Sequence, residues 1–179
     1  SRGLGDVYKR QVGIADRFSF GGLVRAHMAI KNVAAQNNPD QKPVSSLSLD
    51  KLICGVGISL HDGGDILCYS RTLDGYHSLC QWLSAAMMRS GHNNRALPDM
   101  HISDLRRLSS DVIVITLPPV LGDTDYREQA RTIRLFAPGD VYVGGYLMRD
   151  GCDEERLYRL SQEAAADNLG FVALGHVLY

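Results

Sequence analysis

Two residues stand where strand-like runs end. Asp16 closes the apolar run Val12–Ala15, and His176 follows the strand-like stretch Phe171–Leu174. In α/β proteins, functional groups gather at strand ends. A carboxylate and an imidazole on neighbouring strand ends have the chemistry to share one divalent metal. Two ligands do not make a site, and a helix-capping Asp with a surface His is the plainer assignment. Other histidines offer less. His61 falls in a turn, while His92 and His101 fall in polar loops, and all three read as solvated. His27 and His77 lie on helical stretches, where a partly buried structural role is expected.

Familiar catalytic signatures are absent from the sequence. There is no G-x-x-x-x-G-K-[ST] loop and no G-x-S-x-G elbow, and Gly55-x-Gly57 lacks the third glycine of a dinucleotide fingerprint. Cys54, Cys68, Cys80 and Cys152 are far apart, with no C-x-x-C pair. That spacing argues against a structural zinc. Three of the four sit among apolar neighbours and read as small buried residues in a reducing compartment. Arg106-Arg107 and the series Arg127, Arg131, Arg134 have acidic neighbours and read as solvated helix faces rather than a DNA groove.

The elements that must position these groups alternate. Strand signals are expected at Val12–Ala15, Leu52–Leu60, Asp65–Tyr69, Asp111–Leu117, Val141–Leu147 and Phe171–Leu174. Helical periodicity is expected over Ser19–Gln36, Leu73–Arg89, Ile102–Leu108, Asp125–Phe136 and Asp153–Asn168. Leu73–Arg89 is the clearest, with Tyr76, Leu79, Cys80, Leu83 and Met87 on one stripe. His61-Asp62-Gly63-Gly64 is a hairpin signal, because Asp and Gly tolerate positive φ. Val112-Ile113-Val114-Ile115 reads as a strand buried on both faces. Asn37–Asp50 and Ser90–Asp99 read as polar surface loops. This alternation predicts an α/β fold with a largely parallel sheet.

Composition bounds the reading. The chain has 179 residues, 19 Lys+Arg against 20 Asp+Glu, and a formal net charge of −1. It is 45% hydrophobic and 22% charged, as expected for one soluble domain. A near-zero charge gives no global attraction to nucleic acid or anionic lipid. No stretch approaches the roughly 20 apolar residues of a membrane-spanning helix, so no membrane partner is expected. Residues 1–11 lack periodicity, resemble translated adapter sequence, and are read as a non-native leader.

Three segments carry a resemblance. Ile14-Ala15-Asp16-Arg17 through Gly22-Leu23-Val24-Arg25-Ala26-His27 is similar to the "TDR…aGvvRAH" segment of bacterial error-prone DNA polymerases. These are C-family enzymes related to the DNA polymerase III alpha subunit. Leu67-Cys68-Tyr69, Gly75-Tyr76 and Leu79-Cys80-Gln81-Trp82-Leu83 resemble that family's "LCYp…YgrLcrLL". Asp153-Glu154-Glu155-Arg156-Leu157, Leu169-Gly170-Phe171-Val172-Ala173 and Gly175-His176-Val177-Leu178-Tyr179 resemble "…L…A..lglplvAtgDVlYH". The matches keep family order and together span nearly all of residues 12–179.

The resemblance implies an N-terminal PHP domain over residues 12–179, a distorted (β/α)7 barrel. It would be truncated at both ends and incomplete, with the first strand missing. Active members hold up to three metals at the strand ends and hydrolyse phosphoesters. Their H-x-H motif would lie upstream of Val12. Their D-H motif reads Asp16-Arg17 here, Gly57 stands where a Glu ligand is expected, and the closing D-x-H maps onto His176 and Leu178. Asp16 and His176 are therefore expected as a vestigial metal pair. Phosphoester hydrolysis needs metal-bound hydroxide, so the domain is expected to be inactive and to need no cofactor. Mn²⁺ or Zn²⁺ would bind only if the site is active.

The expected parent is a DNA-directed DNA polymerase performing damage-tolerant synthesis in the cytoplasm. It would use Mg²⁺ in a palm domain and contact DNA through domains outside these residues. Translesion-synthesis proteins are the partners implied. Two other readings remain open at this point: a stand-alone metal-dependent PHP phosphoesterase, and a module that docks partner proteins.

Overall fold

The computed structural model describes residues 11–36, 51–90, 98–119 and 126–175. Its elements are β1 (Gln11–Arg17), α1 (Gly21–Gln36), β2 (Lys51–Leu60), β3 (Gly64–Ser70) and α2 (Leu73–Arg89). There follow a 3-10 helix (Ile102–Arg107), β4 (Val112–Thr116), α3 (Tyr126–Phe136), β5 (Val141–Gly145), α4 (Asp153–Ala166) and β6 (Gly170–Ala173). Gln11, expected in the leader, opens β1.

The six strands form one open mixed sheet in the order β1-β2-β3-β4-β5-β6. β1 pairs parallel with β2, β3 lies antiparallel to both neighbours, and β4, β5 and β6 run parallel. The chain therefore adds strands in sequence order, and β3, antiparallel to β2 and to β4, interrupts the parallel run. Right-handed crossovers between sequential parallel strands put their helices on one face. That layout is the α/β arrangement expected from the sequence, in an open sheet.

The core lies between the sheet and those helices. Val56, Ile58, Ile66, Cys68, Val112, Val114, Val141 and Val143 meet Leu79, Leu83, Ala86, Ile133, Leu160 and Ala164 from the helices. Each strand supplies every second residue, as the pleat requires. α2 is held at its start by Thr72, whose Oγ1 accepts the Gly75 N–H at 3.1 Å. The expected stripe largely holds, with Leu79 and Leu83 buried and Tyr76 and Cys80 half-buried, but Met87 is exposed.

The opposite face is shaped by glycine. Gly55 of β2 stands directly across from Tyr69 of β3, and Gly170 of β6 pairs with Tyr142 of β5. In both pairs a Cβ on the glycine would run into the tyrosine ring. The rings therefore lie across the neighbouring strand, which only glycine permits.

Several expectations need correction. His27 and His77 are exposed, because each lies on the solvent side of its helix. Only Cys68 is fully buried, Cys54 and Cys80 are half-buried, and Cys152 is exposed. The helix expected to reach Asn168 ends at Ala166, where Asn168 takes φ 54° and Leu169 N–H returns to the Ala164 carbonyl at 2.8 Å. Such a left-handed residue is a common helix stop. The strand expected to reach Leu147 ends at Gly145. Residues 37–50 and 91–97, which hold most of the two expected loops, lie outside the described residues.

Candidate functional site

The carboxyl ends of β1 and β2 meet the amino end of β3 on one edge of the sheet. Asp16 is the second-last residue of β1, and its Oδ2 accepts the backbone N–H of Gly22 in the first turn of α1. A carboxylate there satisfies an orphan donor and opposes the positive end of the helix dipole. The capping role thus matches the plainer reading of Asp16. Ser19, the other candidate cap, reaches only Gly21 N at 3.4 Å.

The turn between β1 and α1 is tight. Phe18 is 8% exposed and holds φ 54°, an uncommon conformation for a bulky side chain. Its N–H donates to the Gly57 carbonyl at 2.9 Å, and its ring fills the core. Burial and that bond hold the strained turn, which swings the chain from strand to helix and brings Gly22 under Asp16.

Arg17 points along the same rim. Its Nη2 donates to Ser59 Oγ at 2.8 Å, and Ser59 Oγ donates to Asp65 Oδ1 at 2.5 Å. The guanidinium, hydroxyl and carboxylate form one polar line across β1, β2 and β3. Register explains it: Arg17 pairs with Gly57, two residues before Ser59 on the same face, and Ser59 stands opposite Asp65. The rim continues at β4 and β5, where Tyr146 donates its hydroxyl proton to the Pro118 carbonyl at 2.7 Å. Burial raises the Tyr146 phenol above its ordinary value, while Arg156 opposes that shift. The phenol is therefore a proton donor at neutral pH.

The described groups at this rim already have partners within the fold. Asp16 is engaged by a backbone N–H, Arg17 already supplies a cation, and Gly57 carries no ligand. Among the described residues, no group of three His, Cys, Asp or Glu side chains is placed so that it could hold a metal ion. His176, expected to pair with Asp16, lies outside the described residues.

A second cluster lies beside the β2–β3 turn. The rings of His61 and His101 stack with centroids 5.4 Å apart and planes 19° from parallel. Asp99 Oδ1 lies 3.2 Å from His101 Nε2 and 3.9 Å from His61 Nε2, while Asp62 Oδ2 lies 3.7 Å from His101 Nδ1. By sequence alone these histidines stand as separate solvated residues. They remain exposed, yet the fold brings them together.

Aligned over 169 residues, the chain is 26% identical to the error-prone DNA polymerase of Brucella abortus biovar 1 (strain 9-941). It is 30% identical over 176 residues to that of Rhodopseudomonas palustris (strain BisB5), and 28% over 168 residues to that of Pseudomonas aeruginosa PAO1. Each alignment takes in 94% of this chain. The chain is similar to error-prone DNA polymerases. It spans 14% of the length of these polymerases. No family model matches it. The resemblance first read from three short segments thus extends along almost the whole chain.

Arg17, Ser59 and Asp65 were not anticipated as a unit, nor were His61 and His101. Arg17 and Ser59 are 42 residues apart, so only strand register reveals their contact. Alternation within the strands was the available signal, since Ser59 and Asp65 are polar positions flanking the hairpin.

Proposed function

We propose that the chain is a PHP-type domain of an error-prone DNA polymerase that serves as a scaffold rather than a catalyst. Similarity along 94% of the chain to polymerases about seven times longer supports its place in a larger polymerase. In this reading the parent performs DNA-templated deoxynucleotidyl transfer during damage-tolerant synthesis. Its catalytic carboxylates, Mg²⁺ and principal DNA contacts belong to other domains.

The observation that carries the scaffold role is the occupation of the rim by its own groups. Asp16 accepts the Gly22 N–H, and Arg17 reaches Ser59 across a position where Gly57 brings no carboxylate. A guanidinium beside Asp16, linked through Ser59 to Asp65, repels a divalent ion. Metal-assisted phosphoester hydrolysis needs an ion to generate hydroxide and hold the phosphate oxygens, and this rim offers it no adequate ligand set. Asp16 and His176 are then the remnant of a lost site.

The test is an assay of the purified chain for phosphatase and 3′–5′ exonuclease activity with Mn²⁺ or Zn²⁺. No turnover above background is expected, and none of the polymerase activity of the parent. Robust metal-dependent hydrolysis abolished by Asp16→Ala would overturn the scaffold reading in favour of a phosphoesterase.

A further inference from the structure

We draw no further inference here: the strongest candidate, the edge of the sheet at β1 together with the exposed apolar residues Val24 and Met28 of α1, which packs on that strand, has no partner among the described residues, and nothing in the structure shows what covers it.

Discussion

Arg17 and Ser59 are joined by a hydrogen bond of 2.8 Å although 42 residues separate them. The bond ties the end of β1 to β2 where the resemblance implies a metal ligand at Gly57. A side chain at Gly57 has room, since a Cβ there would meet Leu67 at 3.6 Å and the Asp16 carbonyl at 3.7 Å, ordinary contacts. Gly57→Glu alone should therefore fold and gain no divalent-ion affinity, because the Arg17 guanidinium satisfies the added carboxylate. Combining it with Arg17→His should raise Mn²⁺ affinity above that of either single variant. Calorimetric titration of the four proteins checks the order. Strong Mn²⁺ binding by Gly57→Glu alone would show that Arg17 does not exclude the ion.

Asp167 is gripped from α3. Arg127 contacts both of its carboxylate oxygens, at 2.8 and 2.9 Å, and Arg131 adds a third bond at 2.6 Å. The carboxylate side chain is 7% exposed. Its hydrogen bonds to Arg127 and Arg131 hold its pKa well below the usual carboxylate range. The sign follows from linkage: a lowered pKa in the folded state contributes stability above the unfolded value near 4. That contribution is lost as pH falls below it. Asp167→Asn should cost about 2 kcal/mol at pH 7. Its deficit should narrow as the pH drops from about 5 toward 2. Urea melts of both proteins at several pH values measure this, and a deficit independent of pH would contradict the assignment.

Much of this architecture is legible in the chain, because local rules and packing agree. α2 occupies Leu73–Arg89 as its apolar stripe indicates, and the β2–β3 turn falls at His61–Gly63 where Asp and Gly mark it. Asp16 caps a helix as its position after an apolar run suggests. What escaped is set by register. The Arg17–Ser59–Asp65 line and the stacked His61 and His101 come from segments whose spacing carries no periodicity linking them. His27 shares helical spacing with Leu23 and Ile30, yet α1 turns it to solvent. Periodicity identifies a stripe without locating its margins.

Tyr69 covers both Gly13 of β1 and Gly55 of β2, so a larger residue at either glycine must displace the ring. Gly55→Val gains β propensity and still loses stability, since overpacking costs about 1–3 kcal/mol. Shortening the obstacle should reverse part of the loss. In a double-mutant cycle, Gly55→Val with Tyr69→Ala is expected to be less destabilised than the sum of the single variants. Additive effects in denaturant melts would mean that the ring and the strand do not interfere.

Three of the four thiols should separate cleanly by reactivity. Thiolate is the reactive form, so both access and a low pKa are needed. Burial raises the Cys68 thiol to about 12 and the Cys54 thiol to about 11, whereas Cys152 is exposed at the start of α4. A disulfide reagent at pH 8 should modify Cys152 first, with Cys54 slower and Cys68 protected until the chain unfolds. Cys152→Ser should remove the fast phase alone. Rapid labelling of Cys68 in the native chain, located by peptide mass, would mean that the β3–α2 packing opens far more often than its burial implies.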